Sequence, residues 1–255
     1  MTDKLLALVQ RRHPQYEAKL PHWNFVEATY EGGREWFADN IFRYLKEGDG
    51  EYADRVKRAY RFNHARQVVD VVNEYLFKVP AGRKLEDAPD GMKEFWERST
   101  RSGLSIEEYA KRVGCATSQF GRIWIVVDST AKETVLSRAD EAAEDVRIYS
   151  YYVRPQQALD MSVDEEGVMR WILLHELHRD DEDPMASSGK VVNRYRLWTR
   201  THWYLFEEQY GPRGKIKIEV TSGTIALTIG SSADYALAAI YGFRSQNRAA
   251  AASHV

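Results

Sequence analysis

The sequence holds a single cysteine, Cys115, in 255 residues. That scarcity excludes an internal disulfide framework and any cysteine-rich metal cluster. No run of 18 apolar residues occurs, so no membrane-spanning helix is expected. The N-terminal "MTDKLLALVQRRHP" is too short in its apolar part for a signal peptide and predicts an amphipathic helix. Charge of one sign is not in excess: 36 Lys and Arg against 38 Asp and Glu leave a net charge of −2. Such a chain has no long-range field drawing it to a polyanion, which argues against a free-standing nucleic-acid binder and leaves only local patches.

Familiar catalytic patterns are missing too. "HELH", His175 to His178, has i,i+3 spacing, whereas a zinc helix needs its histidines at i,i+4. The stretch continues "MRWILL" and reads as a strand, in which those two side chains point to opposite faces. Asp164, Glu165 and Glu166 precede Gly167 without the spacing of a calcium loop, and "DDED" at 180–183 reads as a solvated charged loop. The pairs Ser102-Gly103 and Ser222-Gly223 lack a nucleophile elbow, and Gly32-Gly33 lacks the lysine and spacing of a phosphate loop. Cys115 follows an amphipathic run and is expected as a buried small hydrophobe. No catalytic, cofactor-binding or metal-ligating residue is assigned, and the chain is read as a non-enzyme.

Aromatic residues are abundant: 15 Tyr, 9 Phe and 7 Trp. They supply large contact areas with a polar handle, which suits broad interfaces as well as cores and hints at an assembly component. The pattern divides the chain in three. Residues 1–120 read as mainly helical, with interruptions at Pro21 and at Gly32-Gly33, and with Ser105 capping a helix from Ile106 alongside Glu108. Residues 121–220 read as sheet. "GRIWIVVDS" is apolar on both faces and predicts a central strand. "RIYSYYV", "VMRWILLHELHRD", "VNRYRLWTRTHWYLFEEQY" and "KIKIEV" follow, with "VDEEG" and "YGPRG" as hairpin-like connections. Residues 221–255 hold one acid, two Arg and nine Ala, a tail with no obvious core to join. Helices followed by a mixed or antiparallel sheet make the fold α+β.

One helical run stands out, "YADRVKRAYRFNHARQVVDVVNEYLFKVP", Tyr52 to Pro80. Tyr52, Val56, Ala59, Tyr60, Asn63, Val68, Val71, Val72, Tyr75 and Leu76 recur at three- and four-residue steps and predict a broad inward face. Arg55, Lys57, Arg58, Arg61 and Arg66 lie within twelve residues that contain no acid. At about 100° per residue, Arg55, Arg58 and Arg66 fall on one side and Lys57 and Arg61 on another. That is a broad basic surface, open to three readings: a solvated or salt-bridged face, a contact for an acidic neighbouring subunit, or direct phosphate contact by a DNA-binding or regulatory module.

Taken in order, several segments resemble the portal proteins of tailed bacteriophages, in particular a portal-like family of unknown function. They begin with "HPQYEAKLPHWNFVEATYEGG", carrying His13-Pro14, Tyr16, Trp23 and Gly32-Gly33. The pair Phe62-Asn63 and the exit Phe77-Lys78-Val79-Pro80 follow in the long helical run. A Gly-Arg strand, Gly121-Arg122, then closes on Asp128, and Tyr151 to Pro155 form a Tyr-x-x-Arg-Pro segment ahead of a hairpin. The resemblance spans about residues 13–210 and reads as a short or truncated form with a portal wing-like fold. It implies a homo-oligomeric ring of about twelve subunits at one capsid vertex of the virion, assembled in the host cytoplasm. Such rings pass double-stranded DNA during packaging and ejection, dock the packaging ATPase and the tail adaptor, and catalyse nothing themselves. They need no cofactor and no membrane. Near-neutral charge suits a conduit in which DNA must slide, since tight phosphate contacts would resist movement.

Overall fold

The computed structural model describes residues 2–33, 36–37, 40–60, 62–82, 86–130, 145–181, 183–210, 216–224 and 241–244, with side-chain surroundings from Leu6 to Glu208. The architecture is α+β, helices first and antiparallel sheet after. The chain divides into two units, one made of Met1–Lys19, Trp124–Asp128 and Ser150–Gly242, the other of Leu20–Ile123, Ser129–Tyr149 and Phe243–Val255. The first 19 residues therefore group with the sheet and not with the helices that follow them. Among the described residues no helix is long and apolar enough to cross a membrane.

The sheet unit is an antiparallel meander, β3-β4-β5-β6-β7, in which every strand pairs with its neighbour in sequence. Its strands are β3 (Ala158–Val163), β4 (Met169–Arg179), β5 (Val191–Thr199), β6 (His202–Tyr210) and β7 (Ile216–Thr224). Strand β4 explains the "WILL" run. Successive strand residues point to opposite faces, so Ile172 and Leu174 enter one core and Leu173 the other, and all three are fully buried. On the first face they meet Trp124, Val126, Val153, Met169 and Trp198. On the second, Leu173 meets Leu159, Tyr195, Phe206 and Val9, the last contributed by helix α1 (Thr2–Gln10). The amphipathic N-terminal helix is thus the cover of that face. Asp160 of β3 fixes it further, accepting an ion-paired hydrogen bond from Arg11.

"GRIWIVVDS" forms β1 (Arg122–Ser129), flanked by β2 (Ile148–Val153) and β8 (Tyr241–Arg244) in the order β2-β1-β8, the central position its two apolar faces predict. "VDEEG" closes the β3–β4 hairpin. Gly167 supplies a φ of +83°, and Asp164 Oδ1 accepts the amides of Glu166 and Val168 at 3.1 and 2.7 Å. The segment "VNRYRLWTRTHWYLFEEQY" is two strands. Its turn carries no Gly, Pro or Asn; the Thr199 hydroxyl closes it by accepting the His202 amide at 3.0 Å. Of "YGPRG", residues 211–214 lie outside the described residues. In the alanine-rich end, 221–224 continue β7 and 241–244 form β8; 225–240 and 245–255 lie outside the described residues.

The helical unit takes up most of α2 (Pro14–Glu31), then α3 (Asp49–Arg58), α4 (His64–Leu76), α5 (Asp90–Glu97) and α6 (Ile106–Phe120). Pro21 was expected to interrupt the first of these, yet α2 runs through it and loses only the amide that proline lacks. It ends at Gly32, whose φ of +70° reverses the chain. Ser105 caps α6 as its sequence predicts, accepting the Glu108 amide at 3.3 Å, and Gly121 ends it at φ +68°. Four α6 residues, Tyr109, Val113, Ala116 and Phe120, are buried.

The two-sided core of β4 sets a direct expectation. Leu173→Ala should lower stability by about 2–5 kcal/mol in chemical denaturation, because it leaves a cavity. Leu177→Ala on the same face of the same strand, at an exposed position, should stay within about 0.5 kcal/mol.

Candidate functional site

The expected helix through the basic run is two helices. α3 ends at Arg58, Ala59 is extended at its C-terminus, and α4 starts at His64. No Pro or Gly marks the break. Asn63 makes it: its Oδ1 accepts the Arg66 amide at 3.1 Å as an N-cap, while its Nδ2 donates to the Tyr30 carbonyl at the end of α2 at 2.6 Å. Gly32 lies against the same side chain, where a Cβ would stand 3.0 Å from Asn63 Nδ2. Two of the pairs singled out in the sequence, Gly32-Gly33 and Phe62-Asn63, therefore meet at one joint.

The basic residues among those described have different surroundings. Arg55 is committed inward. Its guanidinium makes two 2.8 Å bonds to the Glu47 carboxylate and one of 2.7 Å to the Phe42 carbonyl, and it stacks over Tyr44 and Tyr52 at 4.5 and 5.5 Å. Arg58 reaches its own helix, with Asp54 at 3.7 Å, and Arg66 pairs with Asp70 at 3.5 Å while lying over the Tyr30 ring. Lys57 is exposed and makes no ion pair among the described residues. Arg61 lies outside the described residues. Arg55, Arg58 and Arg66 thus each have a carboxylate partner, and that of Arg55 is Glu47, in the turn ahead of α3, which the sequence did not point to.

Beside this clamp lies a shallow, open depression of about 770 Å³, lined by Tyr44, Lys46, Glu47, Glu51, Arg55, Arg58 and Ala59. A smaller hollow of about 380 Å³ is lined by Trp36, Phe37, Lys57, Tyr60 and Asn63, among others. Neither brings a nucleophile and a base together. Hydrogen bonding to Arg55 holds the Glu47 carboxyl well below its ordinary range, at about 2, with the Tyr44 amide adding to the effect.

Helix α4 is turned the opposite way to expectation. Its inner side bonds to α2 and α6 through polar groups: Asp70 accepts from the Tyr30 hydroxyl at 2.6 Å, and Asn73 donates to the Lys111 carbonyl at 3.1 Å, with Ala65 and Val69 half-buried beside them. The helices approach closely at Gly114, where a Cβ would come within 2.5 Å of the Phe77 ring and 2.8 Å of Asn73 Oδ1. Val68, Val71, Val72, Tyr75 and Leu76, expected inward, are exposed, as is Tyr60. The three-four spacing was legible; its direction was set by Asn73, Asp70 and the missing side chain of Gly114. Cys115, expected as a buried hydrophobe, is half-buried and polar in its company, with Sγ 3.4 Å from Tyr30 Oη and 3.3 Å from Gln119 Nε2.

The remaining candidates fall inside the sheet. His175 and His178 both lie in β4 on opposite faces, and His175 Nε2 is 3.0 Å from Asn193 Oδ1. Asn193 in turn donates to the buried Glu208 carboxylate at 2.8 Å, which also accepts from Tyr195 at 3.0 Å. This network ties β4, β5 and β6 and satisfies its one acid. Asp164 is engaged by the hairpin amides and by Arg200 at 2.7 Å. Of "DDED", Asp180 binds Ser188, Asp183 binds the Met185 amide, and Glu182 lies outside the described residues. No group of three metal-ligating side chains gathers among the described residues.

No family model matches the chain, and no characterised protein is significantly similar to it.

The Glu47–Arg55 clamp has a pH signature. A carboxyl depressed from 4.5 to about 2 contributes order that is fully present above 4.5 and is lost as the pH falls through about 2. The Glu47 carboxyl carbon should titrate by NMR near pH 2, and Arg55→Gln should return its midpoint to about the free-glutamate value. An unshifted midpoint in the unsubstituted protein would show that the clamp is not formed in solution.

Proposed function

We propose that this chain is a structural subunit of a tailed-bacteriophage portal ring, placed at the capsid vertex. In that role it lines or supports the conduit for double-stranded DNA, offers docking sites to the packaging ATPase and the tail adaptor, and carries out no chemistry of its own. The reading comes from the ordered resemblance across residues 13–210. The observation that carries it furthest is the exposed apolar surface of the helical unit, where Phe42, Tyr44, Leu45, Tyr60, Phe62 and Tyr75 all stand open to solvent. A chain working alone rarely leaves so much ring surface uncovered; a subunit of a larger assembly does. The resemblance names a self-associating family, and such a surface fits self-association.

The DNA-binding alternative draws less support. Arg55, Arg58 and Arg66 already have carboxylate partners, so a phosphate would have to displace them. A portal also works better without a firm grip on the backbone.

Negative-stain imaging and native mass of the purified chain test the proposal. Closed rings of about twelve copies are expected. A persistent monomer across salt and protein concentration would overturn it. In parallel, replacing Lys57 and Arg58 with alanine should change double-stranded DNA affinity by less than about threefold at fixed salt. A loss of tenfold or more, with a shallower salt slope, would favour the DNA-binding alternative instead.

A further inference from the structure

Helix α4 shows apolar residues on its outer side. The side that packs on α2 and α6 carries Asp70 and Asn73 together with the half-buried Ala65 and Val69, and the side turned to solvent carries His64, Val68, Val71, Val72 and Tyr75. Those exposed positions step by four, three and four along the helix, with Val72 beside them, and they form one stripe about 16 Å long. Val68 is 63% exposed and Tyr75 75%. The stripe does not stop at the helix start. Phe62 stacks on His64 with ring centres 6.1 Å apart, and Tyr60 meets Phe62 edge-on at 5.2 Å. Tyr60 and Phe62 are exposed as well. A continuous apolar ridge therefore runs from Tyr60 to Tyr75, with Leu76 at its side.

The chemistry of the ridge narrows what covers it. It is a convex helix face and not a cavity, so it does not suit a small molecule. Within α4 no Lys or Arg lies on the stripe, and its flank carries Gln67 and Glu74. The cations near it stand at its ends, Lys57 beside Tyr60 and Lys78 over the Tyr75 ring, so the middle of the ridge offers nothing to a phosphate backbone or an anionic lipid surface. Three-four spacing is the pattern by which one helix seats against another. With Leu76 included, the seven apolar residues expose roughly 800 Å², about one partner's share of a standard protein–protein interface. A second copy of this chain offers exposed apolar surface outside the ridge as well, at Phe42 and Leu45. The ridge of one copy on that different face of the next gives the heterologous contact a ring needs, and a net charge of −2 on each copy sets little repulsion between them.

We infer that the ridge formed by Tyr60, Phe62 and the outer face of α4, above all Val68, Val72 and Tyr75, is a subunit contact that seats on a second copy of this chain. This rests on the reading of the chain as a self-associating subunit and specifies where the association occurs. The inverted helix then has a reason. Its inner side, with the hydrogen bonds of Asp70 and Asn73, is used within the subunit, and its outer apolar stripe is kept for the neighbour.

The test introduces charge into the ridge. Because the positions are exposed, Val68→Glu, Val72→Glu and Tyr75→Glu combined should leave the circular dichroism and the unfolding midpoint of the subunit unchanged. The native mass should fall from the assembled form to the monomer. A photo-crosslinking residue placed at Tyr75 in the otherwise unaltered chain should give a product of twice the subunit mass. If the unaltered chain assembles and the triple variant keeps the same native mass, the ridge is not the contact, while the ring reading stands. If the unaltered chain forms only pairs that the variant abolishes, the contact is right and the ring is wrong. If the unaltered chain is a monomer at all concentrations tested, both fall. Crosslinks from Tyr75 confined to the same chain would mean that the ridge is covered from within, and would overturn the inference even where assembly is seen.

Discussion

Gly114 has no side chain, and helix α4 lies where it does because of that. The Phe77 ring and the Asn73 amide occupy the space that any Cβ at this position would take. Contact at that distance brings the inner side of α4 against α6, and the Tyr30–Asp70 hydrogen bond then fixes its rotation. Once those are set, Val69 stays half-buried and Val68, Val71 and Val72 are left outward. The exposed ridge is thus a consequence of how the helix is held and not a loose end of packing. Even the joint before it belongs to the same constraint, since Asn63 both starts α4 and grips the end of α2.

This arrangement separates two tasks that most surface helices combine. Ordinary amphipathic helices bury apolar area for stability and show polar groups to water. Here the docking inside the unit combines directional groups, Asp70 and Asn73, with the Phe77 ring against Gly114. Hydrogen bonds contribute modest net stability but strong geometric discrimination. Aromatic and aliphatic area, which contributes more per residue when covered, is left at the surface. The arginines of the neighbouring segment follow the same logic. Arg55 organises the 42–47 loop and Arg66 braces Tyr30, so cations that looked available in the sequence are structural struts.

What the sequence allowed one to read depended on whether the deciding interaction was local. Strand β4 was legible because "WILL" is apolar at consecutive positions, which a strand tolerates only when both faces are covered. The Ser105 cap and the stop at Gly121 were legible because caps act within one turn. The break at 59–63 was not, because it depends on a carbonyl 33 positions back in the chain, that of Tyr30. Nor was the turn at Thr199, where a hydroxyl does what glycine or asparagine usually does. The direction of the α4 stripe and the partner of Arg55 were illegible for the same reason: each is settled by a residue from another segment, and periodicity carries no information about which side another segment takes.

The meander of β3 to β7 also sets an order of events during synthesis. Every strand finds its partner in the strand just made, so the sheet can zip from hairpin to hairpin as it leaves the ribosome. Helix α1 is under the opposite rule. Val9 emerges near the start, yet the surface it covers is complete only when Tyr195 and Phe206 have appeared, close to two hundred residues later. An element made early is thus among the late ones to find its seat. Until those strands are made, the apolar side of α1 has no seat in the sheet.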